Sequence, residues 1–209
     1  MLRKKNAIVG YSGHAYVIIS SLEKSGIRVS GYFDKEAKAV NPFELSYLGS
    51  ESNEAGLVVL RDYDYFISIG DNIIRMKIQE RLSALAHPPI NVIDPTSSLQ
   101  SRVELGSGVF IAPNAIVNAL SVIGTGVVCN SGSVIEHECF IDDYAFISPG
   151  AVVCGNVKIG KNAFIGANAT IKQGIKIGDG AIVGAGSVVL EDVEDNMKVV
   201  GNPHRIIEM

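Results

Sequence analysis

The chain has 209 residues, 47% of them hydrophobic, with a net charge of −4 and a mean hydropathy of +0.26. That length suits two modest domains, each with a core, and the apolar content rules out a disordered chain. No apolar run approaches the roughly 20 residues of a membrane span, the opening MLRKKNAIVG carries no cleavage signal, and the acidic balance disfavours nucleic acid, so a cytoplasmic protein without membrane insertion is expected.

KNAIV at 5–9 reads as a buried strand, GYSGH at 10–14 as a turn, and AYVIISSLEKSG as a helix ending near Gly26. RVSGYFD then reads as a second strand ending at Asp34, a βαβ beginning. The stretch 36–60 reads as largely loop. YFISIG at 65–70 supplies another strand, and DNIIRMKIQERLSALA a helix with Ile73, Ile74, Ile78, Leu82 and Leu85 on one side. INVID is a last strand before Pro95. Residues 1–94 are therefore expected to form a small Rossmann-like α/β domain, and 95–209 a second domain with a C-terminal tail.

The glycines of GYSGHA do not form GxGxxG, which disfavours a dinucleotide. The backbone N–H groups of Ser12, Gly13 and His14 would open a helix N-terminus, where unpaired donors and the dipole suit an anion; a plain strand-to-helix turn accounts for the same residues. Asp34 ends a strand where an acid commonly binds a ribose or base edge, or is an ordinary turn aspartate. The SIGDN turn at 68–72, with Gly70, lies at the same carboxyl end of the sheet.

From Leu99 to Val189 an aliphatic residue recurs at every sixth position, Cys129 being the one exception, and the residue two places earlier is always small or β-branched. A period of six fits neither a helix nor a plain strand, but suits a chain that turns a corner every six residues. Three corners close a triangular coil of 18 residues, with the aliphatic series pointing inward and coils about 4.8 Å apart. Gly106, Gly124, Gly160, Gly166, Gly178 and Gly184 each follow an inward position, where a turn is expected to need glycine's backbone freedom. The pattern resembles the hexapeptide-repeat acyltransferases. That resemblance implies left-handed coils, an exception to the right-handed crossover rule, and assembly as a homotrimer.

Cys129, Cys139 and Cys154 are odd in number, match no metal spacing and read as reduced packing thiols. A metal-binding prism needs several histidines across its coils, and this repeat has one, His137. His137 stands two residues after the inward Ile135 and should project outward, with Gly155 at the same point of the next coil. An imidazole, with a reference pKa near 6.5, can take a proton from an attacking amine or hydroxyl at neutral pH. Glu138 is the candidate to orient the ring and stabilise its cation; a surface histidine without chemistry is the alternative. Asn130 follows an inward position and would assist the substrate, or simply tolerate a tight corner. Lys158 and Lys176 stack one coil apart and, with Arg205, would meet the phosphates of a carrier, or are solvated lysines.

SGH at 12–14, FD at 33–34, SIGDN, CNSGSVIEHEC, ISPGAVVCGNVKIGKNAFIGANA and the terminal VVGNPHRI together resemble the sugar O/N-acetyltransferases, over nearly the whole chain. The nearest group is the bacterial UDP-4-amino-sugar N-acetyltransferases of glycan pathways, and VIEHEC is the most specific string. The resemblance implies an N-terminal nucleotide-sugar domain ahead of a left-handed parallel β-helix. It further implies acetyl-CoA as co-substrate, no metal, and direct attack by the 4-amino group of a UDP-linked dideoxy sugar. His137 would be the base and Glu138 its tuner. Ser12, Gly13, His14, Asp34, Lys35 and Gly70 fall where the family holds the nucleotide sugar, and Phe146, Gly155, Ala167 and Ala185 where it holds acetyl-CoA. In one relative an acid follows the aspartate, where this chain has Lys35. Members often carry a second histidine nine residues after the base; here Phe146 stands in its place, so backbone N–H groups, Gly155 in particular, would polarise the thioester. O-acetylation of sialic acid or another sugar hydroxyl is the alternative reaction.

Overall fold

A computed structural model describes residues 5–207, so the opening MLRK lies outside the described residues. The chain divides into two compact units, Met1–Pro95 and Thr96–Met209. Among the described residues no helix is long and apolar enough to cross a membrane.

The first unit has β1 (Lys5–Val9), α1 (Gly13–Lys24), β2 (Val29–Phe33), β3 (Ser46–Tyr47), α2 (Glu54–Leu60), β4 (Tyr63–Ile67), α3 (Asn72–Leu85) and β5 (Val92–Ile93). β3, β2, β1 and β4 lie side by side in that order and pair in parallel. Consecutive buried residues at Ala7–Val9 and Tyr65–Ile67 are what a parallel sheet covered on both faces demands. The carboxyl ends of β1, β2 and β4 deliver the turns at Gly10, Asp34 and Ser68 to one end of the sheet.

The stretch 36–60 is largely loop, as expected, and also contains β3 and the seven-residue α2. The start of α2 is set by Asn53, whose side chain accepts from the Gly56 N–H at 2.9 Å, a capping signal hidden among Ser50, Ser52 and a glycine that looks like a breaker. Gly56 is required by contact, because a Cβ there would lie 1.9 Å from the Ser50 carbonyl oxygen. On α3 the apolar side is only partly inward: Leu82 is buried with Arg75 and Gln79 and Ile78 packs on the core, while Ile73, Ile74 and Leu85 are exposed. The buried Arg75 guanidinium donates to the carbonyls of Ile69 and Gly70 and to Asn72 Oδ1. Those bonds satisfy a charge that would otherwise be costly to bury.

The second unit is a left-handed parallel β-helix. Two-residue strands pair in parallel with those 18 residues on, as in Val128↔Phe146↔Phe164↔Ile182, Val134↔Val152↔Thr170↔Val188 and Val122↔Phe140↔Lys158↔Lys176. These rows define three flat faces. From Ile111 to Val189 the every-sixth series is buried, with the small series beside it, in one continuous core. Ile147→Ala should leave a void that the stacked coils cannot close, costing about 2–5 kcal/mol in a urea unfolding titration.

The glycines after inward positions are not there for conformational freedom. Left-handed backbone falls two places later, at Arg102, Asn114, Leu120, Glu138, Tyr144, Asn156, Asn162 and Asn168 and at the glycines interleaved with them. Gly106, Gly166 and Gly178 are instead required by close approach: a Cβ would stand 2.6 Å from Thr125 N, 2.5 Å from Ala185 N and 2.4 Å from Asp195 N, each one coil on.

Candidate active site

His137 sits on the corner between the strands Val134–Ile135 and Phe140–Ile141. Ile135 fills the core, and the imidazole two residues later points out, 52% exposed. Its Nδ1 lies 3.0 Å from Glu138 Oε2. A carboxylate can only accept, so this contact places the hydrogen on Nδ1 and leaves the lone pair on Nε2. Glu138 holds its place with φ of 60°, the left-handed conformation that Arg102, Leu120, Asn156 and Gly174 also adopt at this corner. The ring leans over Gly155: a Cβ there would lie 2.6 Å from His137 Cε1 and 2.7 Å from Nε2. The Asn156 N–H donates to the His137 carbonyl at 2.9 Å, which fixes the two corners together. Among the described residues the Gly155 N–H donates to no protein group. One coil earlier, Asn118 Nδ2 donates to Glu136 Oε2 at 2.9 Å.

The remaining prism candidates stand elsewhere. Asn130, Ala167 and Ala185 lie on the corner that precedes that of His137 around the coil, after the strands Val128–Cys129, Phe164–Ile165 and Ile182–Val183. Asn130 Oδ1 accepts from the Ser131 N–H at 2.8 Å. Phe146 is packed on the adjoining face, 8% exposed and stacked on Phe164 with centroids 5.4 Å apart. One prism thus brings His137, Glu138 and Gly155 together, and sets Asn130, Phe146, Ala167 and Ala185 on a different edge. Lys158 and Lys176 are register neighbours on the third face, both exposed.

In the first unit the candidates gather at the carboxyl end of the sheet. A shallow cleft of about 460 Å³ is lined by Tyr11, Ser12, Gly13, Tyr16, Lys38, Ala39 and Val40. Ser12 begins α1 with an extended backbone and no capping bond from its side chain, and Gly13 and Gly70 have open space where a Cβ would stand. Asp34 is tied in place: Oδ2 accepts from the Tyr11 N–H at 2.9 Å and Oδ1 from the Lys35 N–H at 2.7 Å. Lys38 Nζ pairs with Asp34 Oδ1 at 3.1 Å. The Lys35 side chain is exposed and lines no part of the cleft.

Five residues of this cleft are not singled out by the sequence, Tyr11, Tyr16, Lys38, Ala39 and Val40, and two of them organise it. Tyr11 stacks on Tyr32 at 4.4 Å and meets Tyr16 edge-on at 5.5 Å, and its hydroxyl donates to Asn41 Oδ1 at 2.7 Å, so it pins the loop after β2. Lys38 stands four residues after Asp34, and that spacing was the one signal for it. The alternation of tyrosines along GYSGHAY and GYFD carries no such signal.

Burial, and secondarily the Arg75 charge, pull the His14 pKa down to about 4. The unfolded chain, with a histidine near 6.5, binds a proton between pH 6.5 and 4 that the folded chain refuses. Stability is therefore complete above pH 6.5 and declines as pH falls toward 4. His14→Gln should flatten that decline in urea titrations run at pH 7.5 and pH 5.

Residues 5–82 match the family described as PglD N-terminal domain, and residues 150–191 the hexapeptide repeat of succinyl-transferase. Perosamine N-acetyltransferase from Caulobacter crescentus, solved with CoA and GDP-perosamine, is 31% identical, with a TM-score of 0.92 over 98% of this chain and 97% of that one. The acetyltransferase domain of PglB from Neisseria gonorrhoeae, solved with acetyl coenzyme A, is 29% identical, with a TM-score of 0.92 over 98% of this chain and 100% of that one. On these grounds the chain belongs to the hexapeptide-repeat sugar N-acetyltransferases that carry a PglD-type N-terminal domain.

Proposed function

We propose that this protein transfers the acetyl group of acetyl-CoA to the 4-amino group of a UDP-linked amino-dideoxy sugar, with His137 as general base. The observation that carries the reading is the outward imidazole, held by Glu138 at 3.0 Å with Nε2 laid against Gly155. The amine lone pair attacks the thioester carbonyl carbon, and Nε2 takes the proton that the amine sheds as the C–N bond forms. The Nδ1–H bond to Glu138 keeps the ring in the accepting tautomer and offsets the imidazolium charge. The Gly155 N–H donates to the carbonyl oxygen as it becomes an oxyanion; the C–S bond then breaks, and the CoA thiolate takes up the proton that Nε2 holds, returning the ring to its neutral form.

Ser12, Gly13, His14, Asp34, Lys35 and Gly70 hold the nucleotide sugar in this reading, with Asn130 beside it. Phe146, Gly155, Ala167 and Ala185 line the acetyl-CoA path. Those groups stand on two different edges of one prism, so a path that touches both requires a second copy, and the reading includes a homotrimer. A half-buried aliphatic row, Ile116, Val134, Val152 and Val188, supplies a face for it. Light scattering should then give three times the 22.2 kDa chain mass. The reaction is placed in the cytoplasm, where Cys129, Cys139 and Cys154 stay reduced.

GDP is the competing carrier, because a relative 31% identical was solved with GDP-perosamine. Thiol release from acetyl-CoA, followed over UDP- and GDP-linked 4-amino-4,6-dideoxy sugars and over sialic acid, tests the reading. Turnover with the UDP-linked amine supports it. Turnover with the GDP-linked amine alone reassigns the carrier, and acetylation of a hydroxyl alone overturns the amine.

A further inference from the structure

We propose that Lys38 binds the diphosphate of the acceptor, exchanging its ion pair with Asp34 for one with phosphate oxygens when the nucleotide enters. The inference rests on the reading of the first unit as the nucleotide-sugar site and names a cation for it.

Lys38 lines the same shallow cleft as Ser12 and Gly13, the opening residues of the twelve-residue α1. Helix N–H groups alone give a phosphate weak, directional binding, and a mobile ammonium across the cleft adds the charge that a diphosphate attracts. Two other cations stand close in sequence or space. Arg75 is fully buried and already donates to Ile69, Gly70 and Asn72, and the Lys35 side chain lies outside the cleft lining.

The backbone of Lys38 is preset while its side chain is free to swing. Its N–H donates to the Tyr32 hydroxyl at 2.8 Å, and Tyr32 is stacked on Tyr11. The Lys38 side chain is one-third exposed, and its pairing with Asp34 is a partly solvated i,i+4 contact, the kind that exchanges partners at little cost. Asp34 does not need Lys38 to stay in place, because the backbone N–H groups of Tyr11 and Lys35 already hold its two oxygens. When the lysine leaves, Asp34 Oδ1 keeps its bond from the Lys35 N–H and has an acceptor site released for another donor. A nucleoside without phosphate draws no exchange, so Lys38 contributes nothing to its binding.

Calorimetric titration of the full chain with UDP, GDP and the matching nucleosides tests this on wild type, Lys38→Met and Lys38→Arg. Loss of one charge-assisted contact should weaken the diphosphate that wild type binds by about tenfold in Lys38→Met. Nucleoside affinity should hold, and the dependence of diphosphate affinity on ionic strength should become shallower. Lys38→Arg should recover most of the loss, and in Lys38→Met the KM for the nucleotide sugar should rise while that for acetyl-CoA does not. Equal loss for nucleoside and diphosphate, or no loss for either, overturns the inference alone. A wild-type chain that neither binds nor acetylates any nucleotide-linked sugar overturns the site reading along with it.

Discussion

His137→Ala is expected to lower kcat by about 10²- to 10⁴-fold, the range lost when a positioned proton acceptor is removed. The fold should be untouched. The ring is 52% exposed, so its removal opens no cavity, and the bond that ties this corner to the next coil uses the His137 backbone carbonyl. Thermal unfolding should therefore superimpose on that of wild type while thiol release from acetyl-CoA nearly stops. Glu138→Gln keeps a group within reach of Nδ1 but removes the charge opposite the developing imidazolium, and a loss of about tenfold is expected. A His137→Ala variant that releases thiol at the wild-type rate would remove the base from the mechanism. Equal losses of rate and stability would make the histidine structural.

The prism was legible because its two restrictions are geometric and local. An inward aliphatic at every sixth position and a small residue two places before it can be counted without knowing where any chain segment goes. The same counting put Gly155 one coil above His137, and the ring lies against it in the fold. Counting could not separate two kinds of glycine. Left-handed corners accept Arg102, Leu120 and Glu138 as well as glycine, so their position is invisible by residue type. Gly106 and Gly166 are dictated by the backbone of the neighbouring coil, a contact 18 residues away.

The first unit was legible as strands and helices but not as a surface. Apolar spacing alone groups Ile73, Ile74 and Leu85 with Ile78 and Leu82 on α3; only the last two reach the core, and the buried Arg75 with its carbonyl partners takes up the rest of the inward face. Lys38 was passed over for a related reason. Its role comes from a tyrosine stack assembled from the turn after β1 and from β2, and no local pattern in residues 35–40 announces where that stack will hold the loop.

Gly155→Ala isolates the placement of the ring from its presence. The added methyl would meet His137 Cε1 at 2.6 Å, Nε2 at 2.7 Å and Nδ1 at 3.2 Å, and the backbone at Gly155 needs no left-handed φ. The ring is a movable, exposed group, so it yields; stability should change by no more than about 0.5 kcal/mol. Yielding carries Nδ1 away from Glu138 and Nε2 away from the amine, and a displacement on the order of 1 Å in a reacting group lowers turnover by about 10²-fold. Gly166→Ala is the control with the opposite signature. Its methyl would stand 2.5 Å from Ala185 N and 2.6 Å from Gly184 C, backbone that cannot step aside, so it should cost about 1–3 kcal/mol of stability. The decisive measurement is the double variant His137→Ala with Gly155→Ala. If Gly155 acts by leaving room for the imidazole, its substitution lowers kcat no further once that ring is gone, and the two losses are strongly non-additive. Losses that multiply would assign Gly155 an effect of its own on the thioester, through the N–H that the methyl leaves in place but the shifted corner would re-aim.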